Sequence, residues 1–265
     1  MLVSVTLALS ATAQARGRAK QRPVAPPASA AVTVGPDSLN NVKFRNLGPS
    51  VGGGRVAAVV GVPGDRNTYY VGAAAGGVWK TTDGGDSWEA VFKDQPTASI
   101  GALALAPSNP NVVWVGTGEG YPRNDVVDVR GVFMSPDAGK SWQFMGLGDV
   151  GQISRIVIDP ADPDVVFVAA LGHVWAPNAE RGVFRTADGG KTWHKVLFVN
   201  DTTGVSDLVM VPGNPRLLFA AMWQFVRHPW ELVSGGAASG IYRSKDGGLT
   251  WERLKDGLPT GLLGR

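Results

Sequence analysis

Short apolar runs, each bounded by Pro, Gly, Asn or Asp, follow one another from about residue 42 to residue 257. In the first group, residues 55–62 predict a strand, 63–67 a turn and 68–72 a second strand. Residues 78–81 and 87–92 predict two more. The Pro-rich turn returns at 107–111, 160–164 and 212–216, and turn chemistry explains it, because Pro pre-sets φ and Asn, Asp and Gly tolerate positive φ. The runs that follow, at 112–115, 165–168 and 217–220, are apolar at every position, as strands covered on both faces are. Four-stranded units repeated along a chain, each covered by its neighbours, predict an all-β fold, a β-propeller of four-stranded antiparallel blades. The expected blades are 42–95, 96–147, 148–201 and 202–257, with a fifth beginning at 258–265.

An eight-residue pattern, Ser/Thr-x-Asp-x-Gly-x-Ser/Thr-Trp, marks each unit. It carries Asp83 and Trp88, Asp137 and Trp142, Asp188 and Trp193, and Asp246 and Trp251. Placed between the third and fourth strands, it predicts a hairpin in which Gly85, Gly139, Gly190 and Gly248 supply positive φ. The Asp carboxylate can accept from backbone N–H groups of its own turn, and the Trp can bury its ring on the sheet. Four copies spread through an array point to a structural staple rather than to one catalytic centre. Strand alternation puts these hairpins and the strand one–two turns at one end of the propeller. The strand two–three loops and the blade crossings then share the other end.

Composition changes the picture at the N-terminus. The net charge of +3 contains Arg16, Arg18, Lys20 and Arg22, so the rest of the chain sums to −1 and gives no electrostatic case for nucleic acid. Residues 1–15 have the apolar run and the Ala-x-Ala sites of a signal peptide, which implies export to the periplasm, the cell surface or the medium. That run is too short to span a bilayer, so no membrane span is expected. Residues 16–40 form a Pro/Ala-rich basic linker, and 41–265 the propeller. With no cysteine, thiolate chemistry is absent, and His173, His194 and His228 have no metal-ligand spacing, so no metal and no cofactor are expected.

The repeated pattern resembles the Asp-box, or bacterial neuraminidase repeat. That motif occurs in sialidases, xyloglucanase-type glycosidases, sortilin receptors and a photosystem assembly factor. The resemblance covers about residues 42–257 and is nearest to exported bacterial sortilin-like proteins, also described as BNR-repeat glycosyl hydrolases. Residues 78–85 and 169–175 carry it most clearly. The chain resembles the N-terminal part of such a protein, with further blades and domains to follow. Gly264-Arg265 echoes Gly54-Arg55 and Ser154-Arg155 at the openings of strand one.

Function is expected where the repeats differ, in the strand two–three loops. These hold Tyr121, Arg123 and Asn124 in blade two, Trp175 in blade three, and Trp223, Arg227 and Trp230 in blade four. Such residues anchor peptide or protein interfaces and stack on sugar rings, and they are the candidate ligand-binding set. Equally, the three tryptophans could pack on one another as a cap. Glu119, Asp125, Asp128, Glu180 and Glu231 could supply an acid/base pair, or could simply be solvated or paired with Arg123, Arg130, Arg181 and Arg227. No catalytic residue is assigned. The resemblance to xyloglucanases puts a catalytic Asp in the segment that is Ala73-Ala74-Ala75 here, with Ala74 at its position. A methyl group moves no proton. The expectation is therefore a binding module for a peptide, protein or glycan. A glycoside hydrolase is the alternative, and an assembly or structural factor the second.

Overall fold

The computed structural model describes residues 54–259 and 263, apart from 122, 125 and 128. The expected signal peptide, the linker, the opening of blade one and most of the expected start of a fifth blade lie outside the described residues. Four antiparallel sheets are arranged as a four-bladed β-propeller. Blade one is β1 (Val56–Gly61), β2 (Tyr69–Ala73), β3 (Gly77–Thr81) and β4 (Glu89–Ala90). Blade two is β5 (Ile100–Ala106), β6 (Asn109–Thr117), β7 (Val132–Ser135) and β8 (Gln143–Phe144). Blade three is β9 (Gln152–Ile158), β10 (Val166–Gly172), β11 (Gly182–Thr186) and β12 (His194–Leu197). Blade four is β13 (Thr203–Val211), β14 (Asn214–Arg227), the short β15 (Leu232–Ser234), β16 (Gly240–Ser244) and β17 (Glu252–Arg253). Each sheet runs in chain order, with β15 pairing off the end of β14.

The blades pack face to face through their first strands, β1 against β5, β5 against β9 and β9 against β13. Every first strand carries a bulge at the same place. Val56, Ile100, Ile153 and Val205 pair with Ala73, Thr117, Ala170 and Met222, and the next paired residues are Ala58, Ala102, Arg155 and Asp207. The extra residue lets the apolar side chain before it dip into the preceding blade. There it meets a small residue: a Cβ on Gly72 would lie 2.5 Å from Ile100 Cγ2, and one on Gly116 would lie 2.4 Å from Ile153 Cγ2. This register equates Arg155 with Ala58, three positions from where the echo of Gly54-Arg55 in Ser154-Arg155 places it.

The Asp-box hairpins have one construction. In blade three, Asp188 Oδ1 accepts from Thr186 Oγ1 (2.7 Å) and Thr192 N (2.9 Å), while Oδ2 accepts from Thr192 Oγ1 (2.6 Å). Thr186 Oγ1 in turn accepts from Gly190 N at 2.9 Å. Asp83, Asp137 and Asp246 repeat the arrangement. The donors hold all four carboxyls below their ordinary value, Asp137 down to about 2, with the Ser/Thr hydroxyl at the fourth position after the Asp the largest cause in each. Two residues in succession take positive φ, and in blade two the first is Ala138 at 60°. Each hairpin also bonds to the strand one–two turn of its own blade: Gly84 N to Asn67 O, Ala138 N to Asn111 O, Gly189 N to Asp164 O and Gly247 N to Arg216 O. Both therefore sit at one end of the propeller.

The Asp-box Trp links blades as well. Trp142 Nε1 donates to Val91 O of blade one and Trp193 Nε1 to Met145 O of blade two, each at 2.7 Å. Trp251 donates within its own hairpin, to Gly248 O at 3.1 Å, while its ring packs on the blade three–four core. The following glycines pack on an aromatic residue of the blade before, Gly139 on Tyr70, Gly190 on Trp114 and Gly248 on Phe167. One feature departs from the sequence reading. The stretch from Trp223 to Arg227, read as loop, continues β14 as strand, because Phe225, Val226 and Arg227 pair with Ser234, Val233 and Leu232.

Candidate functional site

Opposite the Asp-box end, the β2–β3 and β6–β7 loops enclose a hollow of about 390 Å³ between blades one and two. Its walls include Arg55, Ala74, Glu119, Tyr121 and Arg123. Gly54 makes the entry possible. It sits at φ 90°, and a Cβ there would lie 2.7 Å from Ala75 N, so the chain can press against the β2–β3 loop. Ala74 N then donates to Arg55 O (2.8 Å), fixing the loop to the start of β1. The Arg55 guanidinium pairs with the buried Glu119 carboxylate of blade two. Glu119 is held further by its own N–H, which donates to Gln152 Oε1 of blade three. Ala74 is buried in the wall.

Tyr121 is the exposed rim residue. It borders this hollow and a second one of about 350 Å³ against blade four, lined by Ser206, Asp207, Ala221, Met222 and Ile241 among others. It also lies within electrostatic reach of Arg155. Arg155 Nε donates to Asp207 Oδ1 at 2.7 Å, and that bond is the main reason Arg155 stands above its ordinary value. Across the described residues of this rim, arginines and carboxylates thus pair from blade to blade, and Tyr121 stands between the pairs with Arg123 and Asn124 exposed beside it.

The blade three and blade four candidates gather elsewhere. Trp223 is buried, 4.3 Å from Phe225 between ring centroids, in a cluster with Leu171 and Val174. It supports the loops from inside and presents no surface. Arg227 N donates to Val174 O at 2.7 Å, joining the β14–β15 hairpin to the β10–β11 loop. Trp230 stands at the hairpin tip, 80% exposed and stacked on His228 at 5.4 Å, and Trp175 is exposed on the neighbouring loop. Tyr121 and Arg123 therefore line one hollow, with Asn124 exposed next to them in the chain, while Trp175 and Trp230 are exposed on loops of blades three and four. Among the described residues, no group of acidic or histidine side chains could hold a metal ion.

Arg181, expected to pair with a carboxylate, does otherwise. It is fully buried and donates to the carbonyls of Phe225 (2.9 Å), Thr202 (3.2 Å), His173 (2.7 Å) and Ala176 (3.4 Å). Burial pulls it down to about 10, against an ordinary value of 12.5. It ties the β10–β11 loop to blade four. A Gly beyond an Arg gives no sequence sign of such burial, and the Arg55–Glu119 pair joins residues 64 positions apart.

Residues 130–260 match the family described as sortilin, neurotensin receptor 3. The chain is 26% identical over 243 residues to the xyloglucanase Xgh74A of Acetivibrio thermocellus, covering 83% of this chain and 28% of that protein. It is 20% identical over 220 residues to a probable oligoxyloglucan-reducing end-specific xyloglucanase of Neosartorya fischeri, covering 77% and 24%. The chain thus spans only about a quarter of the length of these curated relatives. An ancestral GH74 enzyme superposes with a TM-score of 0.58 at 20% identity, over 77% of this chain and 26% of that one. The GH74 enzyme of Niastella koreensis gives 0.54 at 20% identity, over 75% and 30%. These likenesses establish the propeller fold. Among the described residues, no helix is long and apolar enough to cross a membrane.

Proposed function

We propose that this chain, an Asp-box β-propeller with a sortilin-like segment, is an exported binding module that captures a peptide, protein or glycan ligand at the Tyr121 rim. One observation carries the reading. The hollow beside Tyr121 has the Ala74 methyl in its wall where the resemblance to xyloglucanases calls for a catalytic Asp. Glu119, a carboxylate in the same wall, is buried and engaged by Arg55. General acid–base hydrolysis needs one group to give a proton and another to take one, and neither position offers that. The site keeps what binding requires: an exposed aromatic ring, two arginines and a concave wall.

The curated relatives are named xyloglucanases, and that favours a glycoside hydrolase as the second reading. On either reading Tyr121 and Arg123 touch the ligand. Capture of a peptide and oligosaccharide panel by the immobilised chain tests the site directly. Tyr121→Ala and Arg123→Ala are expected to weaken capture at least tenfold, with the Asp-box hairpins untouched. Full capture by both variants refutes the Tyr121 rim as the site.

A further inference from the structure

One position on the fourth strands differs from blade to blade, and in blade two the difference leaves a hollow open. Trp79, Phe133, Phe184 and Tyr242 stand at the same place on the third strands and pair with Ala90, Phe144, Lys195 and Arg253 of the fourth. In blades three and four the cationic side chain fastens to the loop before its own third strand. Lys195 Nζ donates to Ala179 O and lies 5.3 Å from the Phe184 ring centre. Arg253 donates to Ala237 O at 2.9 Å and to Ser239 O at 2.7 Å. Blade one has the small Ala90. Among these four described pairs, blade two's places an aromatic ring at the position, and a hydrocarbon ring makes no such tie.

Phe144 is 57% exposed and ends a run of four rings. Trp142, Phe92, Phe133 and Phe144 meet edge-on in that order, with centres 5.0, 5.4 and 5.5 Å apart. Phe92 and Phe133 are buried, so the Phe144 ring is held from below before anything meets it. The chain then turns away sharply, with Gly146 at φ 96° and Leu147 at φ 56°. Leu147 keeps that unfavourable backbone because its side chain packs on the core cluster of blades two and three. Beyond it His173 Nε2 lies 2.8 Å from Asp149 O, anchoring the crossing to blade three. The space left beside β8 is a hollow of about 450 Å³, walled by Gln95, Pro96, Arg130, Phe133, Phe144 and Asp149 among others. It shares no lining residue with the Tyr121 hollow.

We propose that this hollow is a second binding site, which takes a neutral sugar whose ring hydroxyls are equatorial, as in a gluco-configured oligosaccharide. Such a ring is apolar on its two faces, where axial C–H bonds carry a slight positive charge, and polar around its edge. The C–H face fits the electron-rich face of Phe144, and the edge fits the walls. Arg130 and the Gln95 amide donate, Asp149 and the Gln95 carbonyl accept, and a sugar hydroxyl does both. The wall holds one cationic and one anionic side chain, so a strongly charged ligand of either sign meets one of them unfavourably. An extended peptide is disfavoured as well, because β8 is two residues long and too short to template an added strand. The hollow has the size of a small-ligand site, and its assignment does not rest on the Tyr121 rim.

Calorimetric titration of the whole chain with cellotetraose, in wild type and in Tyr121→Ala, tests this. The expected result is saturable binding that persists in Tyr121→Ala and is carried by Phe144. Phe144→Ala is expected to weaken it by about tenfold or more, and Phe144→Trp, which keeps an aromatic face, to retain it. A neutral ligand also predicts a Kd that moves by less than about twofold between about 0.1 M and 1 M sodium chloride. Saturation-transfer NMR should show the largest transfer to the axial ring protons of the sugar. Near-ultraviolet circular dichroism reads the folding of each variant. The proposal is overturned by absence of binding, by binding that Phe144→Ala leaves unchanged, or by an affinity that falls steeply with salt. Sugar binding that is lost in Tyr121→Ala and kept in Phe144→Ala belongs to the rim and overturns it too. Extended peptides titrated in the same way are expected to give no heat of binding, and peptide binding lost in Phe144→Ala would reassign the hollow and overturn the sugar.

Discussion

Packing between blades two and three offers a direct test of what holds the array together. A Cβ added to Gly116 would lie 2.4 Å from Ile153 Cγ2 and 3.0 Å from Ile153 Cβ. Carbon atoms in favourable contact sit about 3.5–4.0 Å apart, so something must move by about 1 Å. Ile153 is fully buried in the core cluster between the blades. Gly116→Ala is therefore expected to destabilise by about 1–3 kcal/mol, the usual range for overpacking. Ile153→Ala is expected to cost about 2–5 kcal/mol, as a buried aliphatic truncation does. The double variant should cost less than the sum, by about 1–2 kcal/mol, because the new methyl enters the space that Cγ2 leaves. Urea unfolding followed by tryptophan fluorescence gives the four free energies. Strict additivity, within about 0.5 kcal/mol, would refute the seat-and-knob description of the blade contact.

Other consequences follow from the same structure. Because the four Asp-box carboxyls lie below 3.8 in the folded chain, their contribution to stability is full above that pH and is lost as pH falls through the folded values, Asp137 at about 2 and the others lower. Melting temperature should drop between about pH 4 and pH 2, with a shallower slope in Asp188→Asn; a flat profile would count against the hairpin bonding. Arg181→Met leaves four buried or half-buried carbonyls without their donor and should cost about 3 kcal/mol or more, with early proteolysis in residues 173–181; resistance equal to wild type would contradict the tie. Ala138 sits at φ 60°, where Gly carries no Cβ penalty, so Ala138→Gly should stabilise by about 0.5–1 kcal/mol after the unfolded-state entropy is deducted, and a loss of stability would show that Ala138 is unstrained.

Much of the fold can be read from residue types, because turns and hairpins declare themselves locally. Pro63, Pro107, Pro160 and Pro212 mark the same turn, and the Asp-box fixes the hairpin after it, so four strands per unit follow. The bulge in the first strands cannot be read that way. Its extra residue is Ala57, Gly101, Ser154 or Ser206, which share no chemistry, and only the pairing across the strand reveals it. The same offset makes Gly54-Arg55 and Ser154-Arg155 look equivalent when they are not. At the candidate site, loop composition marks Tyr121 and Arg123, but the partnership of Arg55 with Glu119 depends on how two blades meet. Trp223 and Trp230 are seven residues apart in one aromatic stretch, yet one is buried and the other 80% exposed. The hairpin geometry that separates them is set by β15, whose three residues carry no pattern of their own.

The central claim is binding without turnover at the Tyr121 rim. Reducing-end release from xyloglucan, other β-glucans and sialosides, measured on the folded chain at substrate concentrations that saturate capture, tests it most directly. The account predicts capture of at least one ligand of the panel, lost in Tyr121→Ala, and no release above the uncatalysed rate. Release that disappears in Glu119→Gln while the variant stays folded and still binds would contradict it, and would place the catalytic carboxylate in the wall that Ala74 shares.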